Sequence, residues 1–403
     1  MKPQRLGRFL SLFCLILAVL FALATCSEGE SAFPAPEVRD DGWETASLDD
    51  AGIDAAPISE ALQRIEDGAF PNVHCVLIVK DGKLVFEAYF PGYTFNYVAE
   101  GFRGDYTQFG IDTLHNLASV TKSITSALIG IAVDQDLIQG VHQPVFTYFP
   151  EYAHLKTASN GKITLEHLLT MTSGLEWNEL EVWLGDPTHD LIQLFIVPDP
   201  IAYILAKSIV AEPGTSWYYS GGDVNLLGEV IRRASGLRMD EFAASALFAP
   251  LGITAYQWDH IKPDIIHASG NLKLRPRDMA KFGQLFLNGG TWKGKRILSE
   301  EWVQTSTQAQ VAIPWDALAG KLGEEYIDIM AAEGDRYGYL WWLKTYQVDG
   351  QQVPSYYADG WGGQNIIVLP SLDMVVVFTG GAYEGYEPMD DILTDYILPA
   401  AVP

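Results

Sequence analysis

Ser119-Val120-Thr121-Lys122-Ser123-Ile124-Thr125-Ser126-Ala127-Leu128-Ile129-Gly130-Ile131-Ala132-Val133 sets a Ser-x-x-Lys tetrad at the head of an apolar run. Apolar residues recur through the run at helical spacing, so the tetrad reads as the first turn of a buried helix. Positions i and i+3 share a helix face, which lets a Lys122 amine lie beside the Ser119 hydroxyl. A serine needs an adjacent base to act as a nucleophile at neutral pH. A lysine desolvated among apolar neighbours loses its proton more readily and can supply that base. The helix N-terminus adds N–H groups and positive potential where a substrate oxyanion would form. This is acyl-transfer chemistry.

The spacing alone is not specific, because Ser159-Asn160-Gly161-Lys162 repeats it. There Asn160-Gly161 is a turn dipeptide, so Lys162 reads as a solvated loop charge. The first tetrad therefore needs partners elsewhere in the chain. One is Tyr219, in Trp217-Tyr218-Tyr219-Ser220-Gly221-Gly222-Asp223, which precedes an amphipathic helical stretch. A phenol held beside an ammonium is stabilised as phenolate, so Tyr219 next to Lys122 could move protons. Another is Ala358-Asp359-Gly360-Trp361-Gly362-Gly363, which leads into the strand pattern Gln364 to Leu369. Glycine at a strand edge admits a substrate close to the backbone, and the N–H groups of Ser119 and Trp361 could then form an oxyanion hole.

Outward from these motifs, Val73 to Val79 and Leu84 to Tyr89 flank Asp81-Gly82, a type I′ hairpin pattern. Tyr339 to Tyr346, Val353 to Ala358, Gln364 to Leu369 and Met374 to Phe378 read as further strands, and Asp390 to Leu398 as a closing helix. The fold class is α/β (α+β). An antiparallel sheet is built from both ends of the chain, flanked by helices, with a mainly helical lobe inserted over about 125–310. The crevice beside such a lobe is the expected ligand site.

The N-terminus reads as a signal peptide over 1–25. Lys2, Arg5 and Arg8 precede the uncharged apolar stretch Phe9 to Leu23, and Ala22-Leu23-Ala24 supplies a small-residue cleavage pattern. Leu23-Ala24-Thr25-Cys26 resembles a lipobox, which would make Cys26 a lipid anchor and the only membrane connection. A flexible tether over 26–54 and a catalytic unit over 55–400 complete the expected organisation. The location is then outside the cytoplasm: periplasmic, extracellular or lipid-anchored at the surface. With 26 basic and 51 acidic residues the net charge is −25, which argues against nucleic acid and anionic membranes as partners. Beyond Cys14 in the leader and Cys26, only Cys75 remains, inside an apolar strand pattern, so neither a disulfide framework nor a cysteine metal site is expected.

Taken together, these motifs resemble the class C β-lactamase-related serine hydrolases. That group includes penicillin-binding-protein-like peptidases, family VIII esterases and 6-aminohexanoate-dimer hydrolases. Supporting stretches are Leu168-Leu-Thr-Met-Thr-Ser-Gly-Leu175, Pro213-Gly214, Asp278-Met-Ala-Lys-Phe-Gly-Gln-Leu-Phe-Leu-Asn-Gly-Gly290 and Lys295-Arg-Ile-Leu-Ser299. The resemblance spans about 55–400. It implies a β-lactamase/transpeptidase-like fold, Ser119 as the acylated nucleophile and Lys122 with Tyr219 as the acid–base pair. It also implies an oxyanion hole from the Ser119 and Trp361 N–H groups, and no cofactor or metal.

Two departures bear on the substrate. The family's Tyr-x-Asn reads Tyr219-Ser220-Gly221, which removes an amide. Its Lys-Thr-Gly or His-x-Gly reads Ala358-Asp359-Gly360, which removes a cation or hydroxyl and sets Asp359 where it would repel a β-lactam carboxylate.

No Gly-x-Ser-x-Gly elbow and no His-Glu-x-x-His occurs, and His74, His115, His142 and His189 show no metal-ligand spacing. Ser269-Gly270-Asn271 matches a Ser-x-Asn pattern without its usual Lys-Thr-Gly partner. Among Trp177, Trp183, Trp217, Trp341, Trp342 and Trp361, the site candidates are Trp361 and Trp177. The expected activity is hydrolysis of a small ester or amide through an acyl-enzyme. The alternatives are a β-lactamase or D-alanyl-D-alanine carboxypeptidase, and a non-hydrolysing sensor of wall peptides or lactams.

Overall fold

The computed structural model describes residues 33–182, 184–316, 318 and 336–402. The leader over 1–25, Cys26, the first part of the expected tether and Trp183 lie outside the described residues.

Helix α1 (Ala55–Glu66) leads into strands β1 (Val73–Lys80) and β2 (Lys83–Tyr89), joined at Asp81-Gly82 with φ of 51° and 74°. These left-handed values are the type I′ geometry that the dipeptide suits. Seven of the eight β1 residues are buried, as expected of a strand covered on both faces. The long middle of the chain carries α2 (Val120–Asp134), α3 (Gly221–Ser235) and α4 (Pro276–Leu287), with shorter helices and strand pairs between them. Strands β3 (Val311–Ala312), β4 (Arg336–Tyr337), β5 (Trp342–Val348), β6 (Gln351–Gly360), β7 (Gln364–Leu369) and β8 (Met374–Gly380) follow. Helical turns from Met389 to Ala401 close the chain.

The strands form one antiparallel sheet in the order β3-β4-β5-β6-β7-β8-β1-β2. Val76 of β1 pairs with Phe378 of β8 and with Ala88 of β2, so the N-terminal hairpin completes a sheet begun by the C-terminal strands. Asp349-Gly350 makes a second left-handed turn, φ 49° and 81°, between β5 and β6. Strand β5 begins at Trp342 rather than Tyr339. Leu340 adopts φ 61°, and the Tyr339 and Leu340 N–H groups donate to Ser306 and Leu169 carbonyls instead of a neighbouring strand.

The tether expected over 26–54 is corrected from Trp43 onward. Trp43, Leu48 and Ile53 belong to the core, and the Ala46 N–H and Glu44 carbonyl pair with Leu84 of β2. Arg277 of α4 locks this segment down. Its guanidinium donates to Glu87 at 2.5 and 2.9 Å, to Asp41 at 2.7 Å and to the Glu37 carbonyl at 2.9 Å. Trp43 Nε1 donates to the Arg277 carbonyl. A composition rich in Asp, Glu and Ala hid three well-spaced apolar anchors.

Arg277 is 3 % exposed at its side chain, against 7 % for Glu87. Removing one partner of a buried ion pair leaves an uncompensated charge and costs about 3–5 kcal/mol. Arg277→Ala should therefore lower unfolding stability in urea by that order. A loss below about 1 kcal/mol would show that this segment does not depend on the network.

Candidate active site

Helix α2 is buried nearly all round, with thirteen of its fifteen residues, Val120 to Ala132, inside. Ser119 stands at its N-cap. A serine there ordinarily turns its hydroxyl onto a helix N–H. Ser119 makes no such bond. Its Oγ instead lies 2.9 Å from Lys122 Nζ, which also donates to the Ser269 carbonyl at 2.8 Å. The preceding residue, Ala118, adopts φ 43°, and its N–H donates to Asn116 Oδ1. Backbone strain held by a side chain directly before the serine marks a position where geometry is imposed.

Lys122 is 3 % exposed, and burial pulls its amine down to about 8, partly opposed by the negative charges of Glu179 and Asp359. Its Nζ sits 4.7 Å from the centre of the Tyr219 ring. The Tyr219 hydroxyl reaches Ser119 as a hydrogen-bond partner, so the three predicted residues meet. Burial opposes the expected phenolate: it pushes the Tyr219 phenol well above its usual range, and Tyr337, Glu179 and Asp359 push the same way. Tyr219 is therefore a phenol that can give a proton, and Lys122 is the group that can take one.

The strand edge arrives as expected. A Cβ at Gly360 would sit 2.3 Å from the Leu117 carbonyl and 3.1 Å from the Ser119 nitrogen. Only glycine lets β6 end this close to the start of α2, and it sets the Trp361 backbone next to Ser119. The Trp361 ring packs among Phe102, Tyr383 and Phe95, with centroids 4.9, 5.4 and 5.8 Å away.

Asp359 precedes Gly360 at the end of β6. Its Oδ1 accepts from Asn365 Nδ2 at 2.7 Å, in a small cavity shared with Tyr357, Ile367, Glu387 and Met389. Its negative charge acts on Lys122 and Tyr219. Burial pushes the Asp359 carboxyl up, and pushes that of Glu387 up to about 8. Ala358, facing α2, supplies no cation.

Gly221 begins α3, and its N–H donates to Glu179 Oε2 at 2.6 Å. Glu179 also accepts from Trp177 Nε1 at 2.6 Å. The sequence reading missed Glu179, which matches no motif. Ser269, noted only for its Ser-x-Asn pattern, makes the contact through its backbone carbonyl, and Trp342, not chosen among the tryptophans, stacks on Tyr219 at 6.1 Å. Asn225 was missed too. Its Nδ2 donates to Ser269 Oγ at 3.0 Å and to the Gly221 carbonyl at 2.7 Å, and its Oδ1 accepts from the Ala268 N–H. It ties the loop that holds Lys122 to the helix that follows Tyr219.

Trp217 and Trp341 are core residues, and Trp177 lies against Gly222 at the start of α3. The second tetrad is a 3₁₀ turn at the surface, where Lys162, 60 % exposed, pairs with Glu212 at 2.7 Å. No group of three or more metal-ligating side chains occurs among the described residues.

Asn225→Ala would remove the amide donor to the buried Ser269 hydroxyl, while the Ala268 N–H keeps the Ile266 carbonyl and the Gly221 carbonyl keeps its helical bond. A buried polar group left unpaired costs about 1–3 kcal/mol. The variant should lose about that much in denaturant unfolding, and a neutral substitution would show that the loop stands without this clamp.

Comparisons with known proteins identify the family and the fold. The 6-aminohexanoate-dimer hydrolase of Paenarthrobacter ureafaciens is 28% identical over 288 residues, 67% of this chain. The match spans 66% of that enzyme, just under two thirds of its length. Among solved structures, a family VIII carboxylesterase superposes with a TM-score of 0.62 at 18% identity, covering 87% of this chain and 99% of the other. The octameric penicillin-binding protein homologue from Pyrococcus abyssi gives 0.58 at 20% identity, covering 85% and 76%. Both show the shared fold. A family model described as Beta-lactamase matches residues 61–394, so the chain belongs to the β-lactamase family.

Proposed function

We propose that this protein is an exported serine hydrolase that cleaves a small ester or amide through an acyl-enzyme on Ser119. The observation that carries the reading is the contact of Lys122 Nζ with Ser119 Oγ, inside a helix that buries the amine, with the Tyr219 phenol on the same hydroxyl. Neutral Lys122 takes the Ser119 proton as Oγ attacks the substrate carbonyl carbon. The oxyanion forms beside the Ser119 and Trp361 N–H groups. Tyr219 gives its proton to the leaving oxygen or nitrogen as the scissile bond breaks, and Lys122 ammonium restores it. Water then attacks the acyl carbon by the reverse proton path and frees Ser119. The similarity to 6-aminohexanoate-dimer hydrolase supports an ester or amide substrate.

β-Lactams fit less well. Ala358 supplies no cation for their carboxylate, and the Asp359 carboxylate at the same strand end would oppose it. Leu23-Ala24-Thr25-Cys26 supports export, with Cys26 as the point of attachment.

The test is labelling with a fluorophosphonate, followed by mass spectrometry and rate measurements. The adduct should fall on Ser119, and Ser119→Ala should lose hydrolysis by orders of magnitude while Ser159→Ala keeps it. An adduct elsewhere ends the reading. For wild type, kcat/KM should fall about tenfold per pH unit below about 8, because the catalytic form is the neutral Lys122 amine and protonation removes it. Lys122→Ala, Tyr219→Phe and the double variant should lose similar activity, since groups sharing one proton path are non-additive. A Tyr219→Phe enzyme near the wild-type rate would show that the tyrosine only packs.

A further inference from the structure

Among the described residues, neither Lys122 nor Glu179 has an oppositely charged partner in contact. Lys122 Nζ bonds to a hydroxyl and a carbonyl, both neutral. Glu179 accepts from an indole and a backbone N–H, also neutral. Lys207, whose Nζ lies 5.7 Å from the Trp177 ring, is already paired with Asp190 at 2.5 Å. Glu179 can approach α3 because residue 221 is glycine. A Cβ there would sit 2.8 Å from Glu179 Oε2 and 2.6 Å from Leu191 Cδ2.

We propose that Glu179 is the positioning and charge-setting carboxylate of this site: it anchors the Tyr219-Ser220-Gly221 turn through the Gly221 N–H and supplies the negative charge that acts on Lys122. The proposal rests on the Ser119–Lys122–Tyr219 reading given above. A neutral acceptor would serve the indole and the backbone N–H equally well, so the charge itself has another consequence. It favours the ammonium form of Lys122 and so opposes the effect of burial.

The other groups around the pair are accounted for. From β6, Asp359 acts on Lys122 in the same sense as Glu179 and is bonded to Asn365. From the 267–271 loop, His267 is kept neutral by burial, and Lys122 depresses it further. From α3, Asp223 is pushed up to about 8 by burial and is mainly protonated at neutral pH. Tyr219 and Tyr337 are phenols whose ionisation burial opposes. His189, near Glu179 and Asp190, is also held neutral by burial.

The experiment is the pH dependence of fluorophosphonate acylation of Ser119, together with kcat/KM, in wild type, Glu179→Gln, Glu179→Asp and Glu179→Ala. Gln keeps an oxygen acceptor for the Gly221 N–H and removes the charge. Lys122 should then lose its proton more readily, moving the acidic limb to lower pH by about half to one unit. Asp keeps the charge on a shorter stem and should restore the limb toward its wild-type position at a reduced plateau. Ala should show the shifted limb with a plateau at least about tenfold lower, because the anchor is also lost. Superimposable limbs for Gln and wild type, whatever their plateaus, would overturn the proposal and leave Glu179 a structural acceptor. Wild type that fails to label at Ser119 would instead overturn the functional reading beneath it. Labelling at one pH confirms that each variant is folded.

Discussion

A lysine amine held in the interior without a carboxylate in contact is the constraint around which this site is organised. Burial removes water from Lys122 and makes its proton easier to lose. A buried polar group is tolerated only when its hydrogen bonds are satisfied, and the two acceptors here come from different parts of the chain. Ser119 is supplied by the first turn of α2, and the Ser269 carbonyl by a loop 147 residues further on. That loop is in turn tied to α3 by Asn225 and to α2 by Thr125, whose hydroxyl donates to the Ala268 carbonyl. Helix α3 then follows Tyr219, and β6 ends against the Ser119 nitrogen. The helices and the sheet are thus held in register by what one amine requires.

What could be read from the sequence was whatever chemistry leaves a local signature. The Asp81-Gly82 and Asp349-Gly350 turns were legible because a type I′ turn needs left-handed backbone at both central residues. Strand β7 was read to its ends, since Gln364 to Leu369 is an unbroken run between a glycine pair and a proline. Ser119, Lys122, Tyr219 and Gly360 were legible because the proposed nucleophile, base and proton donor, and a close backbone approach, each demand particular residue types. Asn225, Glu179 and the Ser269 carbonyl were not. Each acts through a contact between distant segments, and a carbonyl carries no residue identity at all. The N-terminal segment failed for a related reason. Trp43, Leu48 and Ile53 are anchors only once Arg277 and Leu84 are beside them.

The end of β6 shows what a sequence motif omits. Gly360 lets the strand come up against the Ser119 nitrogen, and Ala358 offers no cation beside it. Asp359 acts on Lys122 and at the same time accepts from Asn365, a partner supplied by β7. Selectivity at this edge therefore depends on a missing cation and on a carboxylate already held by an amide.

Counting acidic residues also overstates the negative charge of the site. Burial pushes Asp223 and Glu387 up to about 8, so near neutral pH both are mainly carboxylic acids. A protonated carboxyl repels no substrate anion. Elsewhere in the fold, several cations are committed to pairs: Arg277 with Glu87 and Asp41, Arg233 with Glu229 and Glu151, and Lys281 with Asp278. Lys122 is a buried cation with no carboxylate in contact among the described residues, and it carries no charge in the neutral form that would take the Ser119 proton. The electrostatic cost of burying it is therefore smallest in the form that the chemistry uses, which is why a mostly apolar helix can carry a base at all.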